Sequence, residues 1–268
     1  MSSAVTGGLL LSIDKQLDQF DKRLEEMGVR IKDANMLKVK EDVFDEVTLI
    51  ALYKLVHKKW LSVIGGSIST GKEANVFYAE RDGTPVAVKI YRIRSANFTT
   101  MSSYITGDRR FIRVKKSKKE LIFAWTKKEF SNLMRAREAG IPVPEPLVWV
   151  RNILVMSFIG EGEVPCPQLK NAEIEDPQSV YAQIIGYIDT LFNKAELVHG
   201  DLSEFNILYG DQPYLIDMGQ SVTRDHPRAY FFLMRDIRNI NRFFKNQCDI
   251  RNDVEIFNSI TGLNTVEP

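Results

Sequence analysis

Between Gly140 and Pro146 the chain reads GIPVPEP, and three prolines in so short a span cannot continue the long charged helix predicted over 117–139. The break parts a strand-rich text from a mostly helical one. Upstream, LSVIGGSIS, ANVFYAE and PVAVKIY, the last two joined at Asp82-Gly83, predict an antiparallel three-stranded meander over 61–91. Residues 92–116 read as a basic loop. Downstream, VWV and ILVMSFI predict two further strands, and Val180, Tyr181, Ile184, Ile185, Ile188, Leu191 and Phe192 then take helical spacing. A short hairpin follows, and helices run to the end. Ahead of the sheet, Leu17, Phe20, Leu24 and Met27 step by three and four. DEVTLIALYKLVHKKW runs from acid to base as a helix dipole prefers, so 9–60 reads as helical. The expected molecule is α+β and two-lobed, with an N-terminal helical extension (1–60), a sheet-bearing lobe (61–159) and a helical lobe (160–268).

Composition narrows the function classes. Of 268 residues 44% are apolar, enough for a substantial core, and a formal net charge of +1 gives no global attraction to nucleic acid or membrane. Cys166 and Cys248 lie far apart without CxxC spacing, which supports neither a disulfide framework nor a zinc site. No apolar run reaches the roughly 18 residues of a membrane span, and no basic residue precedes the short apolar stretch at the start. A cytoplasmic protein without a membrane partner is expected.

Three stretches carry chemistry. Gly65 to Glu73 resembles the phosphate loop G-x-x-x-x-G-K-[ST], but Glu73 replaces the hydroxyl and a strand follows where that loop needs a helix. What remains is a turn offering Ser69, Thr70 and Lys72 to an anion, or a plain hairpin turn. Lys89 is the second. In the following helix Ile122, Trp125, Glu129, Leu133 and Ala136 form an apolar stripe that contains one carboxylate. A buried carboxylate needs a cation, and Lys89 is the natural partner; the pair would hold an ammonium for phosphate oxygens. A purely structural ion pair, or a Glu129 turned to solvent, remains open at this point.

The third stretch is HGDLSEFNILY (199–209), then GDQP and YLIDMG (214–219). With GDQP as a four-residue hairpin loop, Asn206 stands opposite Asp217, and an amide oxygen and a carboxylate converge as a hard site for Mg²⁺ or Mn²⁺. Asp201, five residues before Asn206, is placed to orient or deprotonate a hydroxyl. His199 is expected to orient the loop, and Glu204 to face solvent.

Together these residues resemble a protein kinase, and in detail the RIO kinases, an atypical serine/threonine family. STGKEANVF (69–77), HGDLSEFN (199–206) and IDMGQ (216–220) are similar to the first RIO branch. The resemblance implies a kinase-like fold with a truncated C-lobe, ATP and Mg²⁺ as cofactors, and Lys89 paired with Glu129 on the ATP phosphates. It also implies Ser69, Thr70 and Lys72 in the phosphate loop, and Met156 against adenine beside the backbone of Ser157 and Ile159. Asp201 would be the catalytic aspartate, and Asn206 and Asp217 the metal ligands. In RIO proteins a transient phosphoaspartate on the metal-binding aspartate, here Asp217, is implied. Only 49 residues follow Gly219, too few for the usual activation loop and peptide-docking helices, so an ATPase switch stands beside a kinase.

Residues 92–119 hold nine Lys and Arg against Asp108 alone. Such a run is a solvated loop or an electrostatic contact to RNA phosphates. The second fits RIO relatives, which act on the pre-ribosomal small subunit. Ser95, Thr99, Thr100, Ser102, Ser103, Thr106 and Ser117 are candidate autophosphorylation sites there. The alternatives are a small-molecule kinase of the aminoglycoside or choline type, which also uses HGD, and a non-catalytic, nucleotide-gated assembly factor.

Overall fold

The computed structural model describes residues 30–31, 45–93, 101, 104–105, 107–111 and 117–263. It divides into two compact units, Met1–Ala96 with Leu147–Phe158, and Asn97–Pro146 with Ile159–Pro268.

The first unit is built on a six-stranded sheet: β1 (Arg30–Ile31), β2 (Val63–Thr70), β3 (Ala74–Arg81), β4 (Thr84–Tyr91), β5 (Pro146–Val150) and β6 (Ile153–Ser157), ordered β1-β2-β3-β4-β6-β5. The meander β2-β3-β4 forms as its alternation predicts. Asp82 and Gly83 both take positive φ at the β3–β4 turn, the conformation a two-residue hairpin demands. Helix α1 (Glu46–His57) begins where the Asp45 carboxylate accepts the Thr48 N–H at 2.9 Å. It lays Ala51, Leu52, Leu55 and Val56 against the strand face carrying Phe77, Val86, Val88 and Ile90. Each large side chain so buried contributes about 1.5–3 kcal/mol. A polar tie crosses this core: Asn152 Nδ2 donates to Thr48 Oγ1 at 2.8 Å and to the Tyr91 carbonyl at 2.9 Å.

One expectation is corrected here. Arg30 and Ile31, inside the stretch read as helical, form a short strand parallel to β2, because the β2 edge offers unpaired backbone groups that outweigh a weak helical pattern. The stripe Leu17, Phe20, Leu24 and Met27 lies outside the described residues.

In the second unit, helix α2 (Lys118–Glu138) starts on a Ser117 cap and ends at Gly140, whose φ of +86° closes the helix before the prolines. Helix α3 (Pro177–Asn193) opens with Asp176 as cap and proline in its first turn, and its seven expected apolar positions are all buried. Helices α4 (Ala229–Phe244) and α5 (Asp253–Thr261) complete the helical layer. Three two-stranded ladders lie among them: β7 (Gly160–Glu161) with β8 (Val164–Pro165), β9 (Leu197–Val198) with β12 (Val222–Thr223), and β10 (Ile207–Tyr209) with β11 (Pro213–Leu215).

The stretch 92–116 is not all loop. Met101, Tyr104 and Ile105 are helical and buried, and Arg109–Phe111 is a 3-10 turn. Tyr104 stacks on Phe232 of α4 at 5.1 Å and meets Trp125 of α2 edge-on. The spacing of residues 101, 104 and 105 carries the helical signal, masked in sequence by the surrounding basic residues.

Candidate active site

In the first unit the Gly65 to Glu73 stretch forms the β2–β3 hairpin, with register shifts on either side of Ser67. Ser69, Thr70 and Lys72 are exposed at its tip. The turn closes through the Gly71 N–H to the Ala74 carbonyl at 2.9 Å, and Ser67 Oγ lies 3.3 Å from Thr70 Oγ1. Gly65 is required for packing: a Cβ there would meet Tyr78 Cδ1 at 2.9 Å.

Lys89 pairs with Leu154 across β4–β6 and is 6% exposed, with its ammonium 5.1 Å from the Tyr91 ring centroid. Met156 and Ser157 stand opposite Ala87 and Val86. In the second unit Glu129 is buried within the α2 stripe, as its spacing predicts, and the Ile159 carbonyl accepts the Cys166 N–H at 3.0 Å.

The strongest sequence signal folds into a closed ring. The ladder β9–β12 pairs Val198 with Val222 and so brings the start of the HGD loop alongside the end of the IDMGQ turn. The ladder β10–β11 joins their other ends. Its register differs by one residue from the expected one: Ile207 pairs with Leu215, Leu208 with Tyr214 and Tyr209 with Pro213. Asn206 therefore faces Ile216, whose N–H donates to the Asn206 carbonyl at 3.0 Å, and Asp217 lies one residue beyond. The Tyr209 and Leu215 N–H groups, turned outward in this register, donate to the Pro167 and Pro142 carbonyls at 2.9 Å, and Pro213, which has no N–H, sits opposite Tyr209 at a wide pair where none is needed.

Asp217 takes a left-handed φ of +59°, which aspartate tolerates better than most residues, and its side chain is exposed. Asp201 is held from two sides. Asn206 Nδ2 donates to its carbonyl at 2.7 Å and to Oδ2 at 3.3 Å, and Gln220 Nε2 donates to the same Oδ2 at 3.0 Å. Burial raises the Asp201 carboxyl above its ordinary value, and the nearby Asp217 charge adds to the rise; Arg235 and Asn206 oppose it. His199 orients the loop, as expected, with Nε2 at 3.1 Å from the Ile216 carbonyl. Glu204, expected in solvent, instead has one carboxylate oxygen withdrawn from it.

Sequence reasoning missed the groups that brace this ring. Asp236 of α4 is wholly buried and accepts the Gly200 N–H at 2.7 Å and the Leu202 N–H at 2.9 Å. Its neighbour Arg235 donates to the Gly200 carbonyl and to the Tyr104 hydroxyl, and Asn239 to the Leu202 carbonyl. Burial pushes Asp236 up to about 7, against the pull of those two amides. An acid inside the apolar stripe Phe232, Leu233, Asp236, Ile237 and Ile240 is the same signal that marked Glu129.

Among the described residues no three or more His, Cys, Asp or Glu side chains form a metal-holding group, and no helix is long and apolar enough to cross a membrane. One amide and one or two carboxylates on adjoining loops are the kind of oxygen donors that could hold Mg²⁺ where phosphate oxygens complete its coordination.

The RIO domain family matches residues 75–256. The chain is 43% identical to the RIO-type serine/threonine-protein kinase Rio1 of Haloferax volcanii over 90% of its length and 84% of that protein's. It is 37% identical to the human serine/threonine-protein kinase RIO1, over 93% of this chain but only 45% of the human one. A crystal structure of the Rio2 kinase–ADP/Mg²⁺–phosphoaspartate complex from Chaetomium thermophilum aligns with a TM-score of 0.61 at 29% identity, covering 76% of this chain and 62% of that one. With a family match over residues 75–256 and 43% identity to a Rio1 kinase along most of both chains, the chain belongs to the RIO1 family of serine/threonine-protein kinases.

Proposed function

We propose that this chain transfers the γ-phosphate of ATP, with Mg²⁺, to serine or threonine hydroxyls and to its own Asp217, and that the resulting ATPase cycle works on pre-ribosomal small subunits. The observation that carries the reading is the convergence of Asn206 and Gln220 on the Asp201 carboxylate, beside Asp217. Asn206 and Asp217 would hold the ion. Bound Mg²⁺ would neutralise charge on the triphosphate and draw the transferring group into line.

The chain's own residues then have distinct tasks. Asp201, its lone pairs aimed by two side-chain amides, orients the acceptor hydroxyl and receives its proton. Its raised proton affinity suits that step. Lys89, paired with Glu129, fixes the phosphates, with Ser69, Thr70 and Lys72 covering them. Met156 and the backbone of Ser157 and Ile159 receive adenine. In the self-transfer branch one Asp217 oxygen attacks the γ-phosphorus as the bond to the β-phosphate oxygen breaks and ADP departs. The ADP, Mg²⁺ and phosphoaspartate of the Rio2 complex support this branch. The working parts are the extension 1–60, the nucleotide-holding lobe 61–159 and the catalytic lobe 160–268, in a cytoplasmic protein. The basic stretch 92–119 supplies RNA contact, and autophosphorylation within it weakens that contact.

The test is phosphoryl transfer from γ-labelled ATP by Asp201→Ala and Asp217→Ala. Asp201→Ala is expected to lose transfer to hydroxyls while keeping nucleotide affinity, and Asp217→Ala to lose all turnover. Unchanged turnover in either variant removes its assigned role. Co-purification of pre-ribosomal RNA with and without ATP checks the partner.

A further inference from the structure

Arg110 sits in the basic stretch whose sequence reads as a solvated loop or a contact to RNA phosphates, yet its guanidinium is turned inward. Its Nε and Nη2 donate to both Asp108 oxygens at 2.7–3.2 Å, and Nη1 donates to Asn132 Oδ1 at 2.9 Å. Asp108 is buried to 1% exposure, and Arg110 keeps a quarter of its side chain in solvent. Asn132, fully buried on α2, passes the connection on: Nδ2 donates to the Met218 carbonyl at 2.8 Å and to the Ser221 carbonyl at 3.1 Å. From the same helix Lys128 donates to the Gly219 carbonyl at 2.8 Å and also to that of Ser221. Three carbonyls of the turn that follows Asp217 are thus held by side chains of α2. The helix side chain facing them is in turn fixed by the 108–110 segment.

We infer that Asp108, Arg110 and Asn132 form a positioning relay that sets the 218–221 turn and, through it, the left-handed backbone on which the Asp217 carboxylate is presented. A buried amide such as that of Asn132 can present either end to a neighbour. Here both sides fix the same choice: the guanidinium fork can only donate and claims Oδ1, and the Met218 and Ser221 carbonyls can only accept and take Nδ2. Without the Arg110 guanidinium the amide loses one of its orienting partners, and Asp108 loses its fork and keeps the residue-110 backbone N–H at 3.0 Å. Burial works against the Asp108 charge, and Arg110, with Lys128 behind it, more than offsets this and holds the carboxyl below its ordinary value. The role in catalysis rests on the reading of Asp217 as metal ligand; the mechanical linkage does not.

The test uses the full chain with Arg110→Ala, Arg110→Lys and Asp217→Ala. Arg110 is partly exposed, so its variants are expected to fold, which a thermal melt checks; Arg110→Lys, which keeps the charge and loses the fork, is the second variant. The first readout is amide hydrogen exchange of the peptide spanning 216–222 in the nucleotide-free protein. Arg110→Ala is expected to speed it about tenfold, the loss of roughly one charge-assisted hydrogen bond, with Arg110→Lys in between. The second is the Mg²⁺ concentration giving half-maximal turnover at saturating ATP, expected to rise about five- to tenfold while metal-free nucleotide affinity stays within about twofold. Unchanged exchange in both Arg110 variants overturns the relay whatever Asp217 does. Faster exchange with unaltered Mg²⁺ dependence, while Asp217→Ala is inactive, leaves a structural tie and overturns the positioning role. Full Mg²⁺-dependent turnover in Asp217→Ala overturns both this role and the metal-ligand reading beneath it.

Discussion

The buried carboxylate of Asp236 accepts the backbone N–H of Gly200 at 2.7 Å, so a residue of helix α4 fixes the loop that carries Asp201. Asp236→Ala would strand the Gly200 and Leu202 amides without acceptors in a dry environment. At about 1–3 kcal/mol for each of the two orphaned groups, a loss of about 2–6 kcal/mol in unfolding free energy is expected, measured by urea denaturation. Asp236→Asn does little better, because its amide must present a donor to one of two donors. A variant as stable as the parent would show that these two hydrogen bonds do not support the loop.

Two buried charges give stability an unusual dependence on pH. Asp236 rises from an ordinary 3.8 to about 7 on folding. Below the unfolded value it is protonated in both states and opposes nothing. As pH climbs toward 7 the unfolded chain gives up the proton first, and this group's contribution to stability is lost. Lys128 moves the other way, from 10.5 down to about 7, because burial and Arg110 disfavour its charge. Between about 7 and 10.5 the unfolded chain binds more protons, so stability from this group grows with pH. Near neutrality both contributions are at their poorest. Unfolding free energies at pH 5, 7 and 9 are expected to show Lys128→Met losing the rise above 7 and Asp236→Asn losing the fall below it. Each slope reaches at most about 1.4 kcal/mol per pH unit. Variant profiles that run parallel to the parent would rule out both shifts.

The proximity of Asp201 and Asp217 also has a direct readout. Burial and then the Asp217 charge hold the Asp201 carboxyl above 3.8. Removing the second charge by Asp217→Asn, in protein free of nucleotide and metal, is expected to bring the Asp201 titration down. Most of the rise should survive, since burial is the larger cause. Carboxyl ¹³C chemical shifts followed against pH give the answer. A midpoint that does not move would mean that the two acids are not electrostatically in touch.

What could be read from sequence follows from which interactions are local. The β2-β3-β4 meander, the α2 boundaries at Ser117 and Gly140, and the buried positions of α3 are set by alternation, caps and periodicity, all written in neighbouring residues. The residues HGD, Asn206 and IDMGQ were equally visible, but their register was not. The position of Pro213 at a wide pair depends on Tyr209 and Leu215 finding acceptors at Pro167 and Pro142, contacts from elsewhere in the chain. The same holds for Arg110. Counted as one of nine basic residues it looks like a surface charge; only the placement of Asp108 and Asn132 turns it inward. Asp236 was within reach, as a lone acid on the apolar face of α4, and so was Asn132, which falls in step between Glu129 and Ala136 on α2.

Gly200 shows how little room the ring leaves. Its φ of +78° is a left-handed conformation, and a Cβ built there would stand 3.0 Å from the Gln220 carbonyl oxygen. Gln220 is the residue whose amide steadies Asp201 at 3.0 Å. Gly200→Ala therefore strains the backbone at the start of the catalytic loop and pushes on the group that aims its carboxylate. The left-handed backbone alone costs about 1–2 kcal/mol, seen as a lower melting temperature. The displaced Gln220 is expected to lower kcat about tenfold or more, with ATP KM nearly unchanged, because the fault lies in aiming the acceptor group and not in holding nucleotide. Gln220→Ala should reproduce the kinetic part without the full drop in stability. If Gly200→Ala melts early but turns over normally, Gln220 does not govern how Asp201 is presented.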